Sequence, residues 1–99
     1  MQISDWRKII DDLDCRLVEL LNQRATAARE IGKIKQAADL PVYEPARERQ
    51  IHANVCRANR GPLPDRELVQ VFERIIDVMR NFQKEQSAAV SQRPDDRRC

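Results

Sequence analysis

Apolar residues recur at every third or fourth position over the first part of the chain, and this spacing predicts one long helix. Ser4 is a suitable N-cap for this helix, and Asp5 would follow in its first turn. No proline interrupts the pattern before Pro41, so the predicted helix has about 34 residues and is about 50 Å long. Its stripe consists of Trp6, Ile10, Leu13, Leu17, Leu20, Arg24, Ala27, Ile31 and Ile34.

Two shorter helices are predicted in the rest of the chain. Pro45 suits the first position of a second helix, which ends near Asn59. The Gly-Pro-Leu-Pro string at 61–64 breaks that helix, and Asp65 caps a third one. The sequence therefore predicts an all-α domain over residues 1–86, with three helices, and a polar, disordered tail over residues 87–99.

The long first helix has a consequence for assembly. A compact domain of about 100 residues is roughly 34 Å across, which is shorter than this helix. The two other helices cannot cover its whole apolar stripe, so part of the stripe would be exposed in a monomer. A second copy of the chain, packed antiparallel, is the simplest cover. We therefore expect a homodimer.

Composition and charge narrow the classes of function. The 99 residues contain only 2 glycines and carry a formal net charge of +2, with basic and acidic residues interspersed. This balance gives no electrostatic footprint for nucleic acid or for a membrane, and no run is apolar enough to span one. The three cysteines are far apart and the chain has a single histidine, so neither a metal site nor a disulfide framework is expected. These features are typical of a cytoplasmic protein.

Several polar residues occupy positions where the stripes predict a core. Arg24 interrupts the first stripe, Lys35 lies about three turns further along nearly the same face, and Gln83 lies on the third stripe. Arg47 and Glu48 flank the buried face of the second helix. Such residues either extend to solvent from the edges of the stripes or line a shared pocket, because buried charges and amides need partners.

A shared pocket of this kind would bind a small dianion, and it would act by positioning and electrostatics rather than by covalent chemistry. Arg7 lies 17 residues before Arg24, or about 26 Å along one helix. It can therefore join the same pocket only from a second subunit. Otherwise it is a solvated arginine at the start of a helix.

The polar residues also carry a resemblance to a known family. The segments RKIIDDLD (7–14), LLNQR (20–24) and EIGKIK (30–35) resemble the first helix of the all-helical chorismate mutases. The segment PVYEPARER (41–49) resembles that family's loop and second helix, and VFERII (71–76) with Gln83 resembles its third helix. The resemblance covers about residues 5–86.

This resemblance implies an intertwined homodimer that converts chorismate to prephenate without a cofactor. Arg24 and Arg7 of the partner subunit would hold the two carboxylates of this small dicarboxylate substrate. Lys35 and Gln83 would donate to the ether oxygen, and Glu48 would accept from the ring hydroxyl. Two further residues, Glu44 and Arg47, would lie near the substrate.

Two positions depart from the family pattern, and two other functions stay open. Many relatives have aspartate at the position of Glu44 and a small residue at the position of Met79, so both departures bear on affinity. The same fold also serves isochorismate pyruvate lyases, although Arg47 together with Glu48 favours the mutase. A non-catalytic helical dimerisation module would leave Arg24 and Gln83 exposed and replaceable.

Overall fold

A computed structural model of the chain describes residues 1–88, and these residues form three α-helices. They are α1 (Ile3–Ala37), α2 (Pro45–Ala58) and α3 (Asp65–Ala88), and no strand occurs within this part of the chain. The predicted all-α class, the three helices and the unusual length of the first are therefore confirmed. The predicted tail, apart from its first two residues at the end of α3, lies outside the described residues.

The starts of α1 and α3 differ slightly from the predicted ones. Gln2, rather than Ser4, is the N-cap of α1, because its carbonyl already accepts the N–H groups of Asp5 and Trp6. The carboxylate of Asp5 in turn accepts the backbone N–H of Gln2 at 2.8 Å. Asp65 is the first residue of α3 rather than its cap. The sequence placed these two helix starts one or two residues too late.

The helices pack as a thin layer in which α3 lies against both α1 and α2. The layer measures 54 × 35 × 15 Å, and its radius of gyration is 16.3 Å, compared with about 13 Å for a compact chain of this length. Only three hydrophobic residues in the described part are buried: Ala28, Ile76 and Met79. One chain therefore has a small core, located where α3 crosses the second half of α1.

The first half of α1 has no cover within the chain. Trp6, Ile10, Leu13, Leu17 and Leu20 are between 47% and 59% exposed. These five residues, called the α1 stripe below, lie on one face at helical spacing. As the sequence predicted, the stripe stays exposed in a single chain.

Two smaller observations concern the cysteines and the membrane. Cys56 is a half-buried free thiol, whereas Cys15 is disulfide-bonded. The bonded state of Cys15 departs from the expectation that the cysteines form no disulfide framework. None of the described helices combines the length and the apolar character needed to cross a membrane.

Candidate active site

A cavity of about 290 Å³ lies between the second half of α1, the start of α2 and the second half of α3. The loop between α1 and α2 closes one side of it. Seven of the eight substrate-contacting residues predicted from the sequence line this cavity: Arg24, Lys35, Glu44, Arg47, Glu48, Met79 and Gln83. The structure therefore brings these seven residues together around one cavity.

Arg24 is a half-buried cation on the α1 wall of the cavity. Its pKa is lowered, first by burial and then by the positive charge of Arg47. Within residues 1–88 no carboxylate forms an ion pair with Arg24. A guanidinium in this situation is energetically unfavourable until an anion reaches it.

Lys35 lies in the last turn of α1, and its side chain is only 13% exposed. Its Nζ donates to the carbonyl oxygen of Val42 at 3.1 Å and forms an ion pair with Glu44. Glu44 can reach it because this residue caps α2 with its backbone only, which leaves the carboxylate free to turn toward α1. An ammonium group has three N–H donors, so one of them remains available to a ligand.

Gln83 reaches across from α3 to the backbone of α1. Its Nε2 donates to the carbonyl oxygen of Ala28 at 2.6 Å, and the residue is half-buried. This bond fixes the orientation of the amide and uses one of the two N–H donors on Nε2. The second donor is free for a ligand in the cavity.

Arg80 is a residue of the cavity wall that the sequence analysis missed. Its guanidinium donates to Glu48 at 2.7 Å and to Asp77 at 2.9 Å, and it lies over the ring of Tyr43, 5.1 Å from the centroid. The pKa of Arg80 is raised, chiefly by the hydrogen bond to Asp77, and the pKa of Asp77 is lowered by the same bond. Arg80 thus links α3 to α2 and to the loop, and it holds the carboxylate of Glu48. The only signal in the sequence was its position next to Met79 and three residues after Asp77.

The three other predicted residues occupy different surroundings. Arg47 is exposed at the cavity mouth, where it donates to Gln50 at 2.7 Å. Met79 is buried and contributes both to the core and to the cavity wall. Arg7 is exposed in the first half of α1 and does not line the cavity of its own chain. This location agrees with the estimate of about 26 Å between Arg7 and Arg24.

The charges of the cavity do not cancel. Lys35 is paired with Glu44, and Arg80 is paired with Glu48. Arg24 and Arg47 are the two remaining cations among the lining residues, so the cavity has an excess of two positive charges. This excess matches a small dianion. Lys35 and Gln83 line the same cavity, and each has one N–H donor beyond those bonded to described residues.

The described residues form an all-helical protein with a cavity that carries an excess of two positive charges, and comparisons with known proteins identify its family. The family model for chorismate mutase type II matches residues 6–84. The chain belongs to this family.

Individual relatives resemble the chain over most of its length. A bifunctional chorismate mutase/prephenate dehydratase of Aquifex aeolicus is 37% identical over 87 residues, which are 84% of this chain and 24% of that protein. The chorismate mutase of Thermus thermophilus (form II) superposes with a TM-score of 0.84 at 29% identity, over 87% of this chain and 98% of the other. The Helicobacter pylori chorismate mutase in complex with prephenate gives a TM-score of 0.82 at 28% identity, over 90% and 97% of the two chains. The chain spans about a quarter of the length of the curated bifunctional relatives that it matches.

Proposed function

We propose that this chain is a chorismate mutase, which converts chorismate to prephenate by a Claisen rearrangement on the route to phenylalanine and tyrosine. One observation carries the proposal: the cavity holds two uncompensated cations, Arg24 and Arg47, beside two oriented donors, on Lys35 and Gln83. The substrate is a dicarboxylate that must be held in a compact conformation. The Helicobacter pylori relative, at 28% identity, has prephenate bound.

In this proposal the rearrangement is promoted by electrostatics. As the C–O bond of the substrate breaks, negative charge grows on the ether oxygen. The remaining N–H of Lys35 and the second N–H of Gln83 would donate to that oxygen. Donors that are already oriented cost no reorganisation during the reaction, and one such donor contributes about 100- to 1,000-fold in rate.

The remaining residues would bind the ends of the substrate. Arg24 would hold one carboxylate and Arg7 of the partner subunit the other, while Glu48 would accept from the ring hydroxyl. Arg80 supports this last role, because it holds the Glu48 carboxylate at 2.7 Å. Arg47 would close the mouth, and Glu44 would act through its ion pair with Lys35. Met79 would contribute apolar shape where a smaller residue would leave more room.

We also propose that the enzyme is an intertwined, antiparallel homodimer with two shared sites. The exposed α1 stripe supports this assembly, since a second α1 would cover it. Arg7 lies on the same half of α1 and is too far from its own cavity to act there. A partner chain that covers the stripe could deliver Arg7 to the cavity of the first chain. The domain limits of 1–86 and the cytoplasmic location stay predictions.

Two experiments test the proposal. Purified protein is assayed for loss of chorismate and, separately, for loss of isochorismate. Turnover of chorismate to prephenate is expected. Turnover of isochorismate alone would identify a lyase instead. Turnover of neither compound would favour the non-catalytic dimerisation module.

The shared site is tested by mixing two inactive variants. Arg7→Ala and Arg24→Ala are each expected to remove most activity while the fold is retained. After the two are unfolded and refolded together, heterodimers contain one site with both arginines, so part of the activity should return. A mixture that is no more active than its parents would show that Arg7 does not act across the interface.

A further inference from the structure

Gly32 is a glycine in the interior of α1, where no backbone requirement explains it. The chain has one glycine with positive φ, Gly61, and Gly32 has no such conformation. In a helix interior glycine is less stable than alanine, because it loses more backbone freedom on folding. Its presence therefore calls for a steric reason.

The steric reason lies on α3. A β-carbon added at Gly32 would approach three atoms, and all three belong to Gln83: Cγ at 3.3 Å, Cβ at 3.4 Å and Cδ at 3.8 Å. The distance to Cγ is tight for two carbon atoms, and the distance to Cβ is at the limit of ordinary contact, so the side chain of Gln83 would have to move by a few tenths of an ångström. Gly32 thus provides the space on α1 over which the stem of Gln83 lies.

The same contact determines where the amide of Gln83 is held. Ala28 lies one helical turn before Gly32, and its carbonyl oxygen accepts the bond from Nε2 at 2.6 Å. A side chain lifted away from α1 would lengthen or bend this bond. The second N–H of this amide, which lines the cavity, would turn with it.

We infer that Gly32 is a positioning residue for the reaction: it lets Gln83 lie close against α1, so that the Ala28 carbonyl fixes the amide and directs its second N–H at the reacting oxygen. This inference rests on the proposed function of Gln83 as a donor. Gly32 has no side chain and can influence the reaction only through its neighbours. Its effect must therefore depend on the presence of Gln83.

The test is a double-mutant cycle with Gly32→Ala, Gln83→Ala and the double variant, all as full-length chains. A small displacement of one donor is expected to lower kcat by about three- to tenfold with little change in KM, because the donor acts on charge that develops in the transition state. In the Gln83→Ala background, Gly32→Ala should leave kcat unchanged, since the Cγ atom in tight contact and the amide that it positions are both gone. The melting temperature should not fall in that background, because alanine is the better helix former.

A second measurement follows the amide directly. The side-chain NH₂ signals of Gln83 are identified by their loss in Gln83→Ala, and they should shift in Gly32→Ala. Wild-type kcat and unshifted signals in Gly32→Ala, or equal losses in both backgrounds, would overturn the inference and leave the role of Gln83 intact. Full activity of Gln83→Ala would instead overturn the proposed role of Gln83, and with it the inference.

Discussion

Shortening one side chain of the exposed α1 stripe should weaken the proposed dimer without removing a buried contact within a single chain. Leu17 lies near the middle of the stripe and is 54% exposed in one protomer. If a second copy covers the stripe, this exposed part becomes buried at the interface. Leu17→Ala then removes apolar surface that is buried only in the dimer.

The size of the effect follows from the exposed fraction. Complete burial of a leucine side chain contributes about 1.5–3 kcal/mol, so covering the 54% that one chain leaves exposed contributes about 0.8–1.6 kcal/mol. A twofold-symmetric dimer contains the substitution twice, which gives about 1.6–3.2 kcal/mol per dimer. At about 1.4 kcal/mol per factor of ten, the dissociation constant should rise by about 10- to 200-fold.

Sedimentation equilibrium over a range of protein concentrations measures this constant, and thermal unfolding at the same concentrations gives an independent reading. If dissociation and unfolding are coupled, the melting temperature should fall as the protein is diluted. For Leu17→Ala this fall should begin at a higher protein concentration than for the wild type. Leu63→Ala is a suitable control, because Leu63 is 51% exposed but belongs to the loop between α2 and α3. A wild-type protein that sediments as an active monomer, or equal effects of the two substitutions, would refute the assembly argument.

Three other predictions concern the cavity. Gln83→Glu should lose about a hundredfold in kcat/KM near pH 7.5 and recover in part as the pH falls toward about 5, because a carboxyl donates only when protonated and its single O–H can serve the substrate or Ala28 but not both. A pH profile parallel to that of the wild type would contradict this. Arg80→Leu should lower kcat/KM by about tenfold when Glu48 is present, because Arg80 is expected to act by holding the Glu48 carboxylate at 2.7 Å. In a Glu48→Gln background the same substitution should have no further effect, whereas additive losses would place Arg80 directly on the substrate. Arg47→Leu should weaken substrate binding by about 10- to 100-fold, which is the strength of one charged hydrogen bond. It should not lower the melting temperature of the unliganded protein, because it removes a like charge that faces Arg24. Calorimetry with and without ligand measures the binding constant and the melting temperature.

The three helices could be predicted from the sequence because each one has a strong local signal. The 3-4 spacing, Pro45 at the start of α2 and the Gly-Pro-Leu-Pro break determined their number and most of their bounds. The predicted N-cap of α1, Ser4, is wrong, and the reason is also local. Ser4 has the better intrinsic preference for the N-cap, but the Asp5 carboxylate bonds to the Gln2 backbone and stabilises an earlier start.

The members of the cavity were also predictable, because polar residues in an apolar stripe are conspicuous. Their partners were not predictable from local patterns. Arg80 interrupts no apolar stripe in the sequence. Its importance comes from its bond to Glu48, which lies 32 residues away on another helix. The contact of Gln83 with Ala28 spans 55 residues and depends on how α3 crosses α1. Spacing along one helix carries no information about such crossings.

The shape of the chain and the charge of its cavity have a common physical explanation. A half-buried Arg24 beside Arg47 is unfavourable until an anion binds, so the cavity lowers the stability of the unliganded protomer. The protomer has little core to compensate for this, since its layer is only 15 Å thick and three hydrophobic residues of the described part are buried. The α1 stripe is the largest apolar surface that remains available, and its burial against a second copy would supply the missing stabilisation. The surface that would stabilise the protein is therefore also the one that would bring Arg7 of the partner subunit to the cavity. In such a dimer, folding, assembly and completion of the site would be a single step.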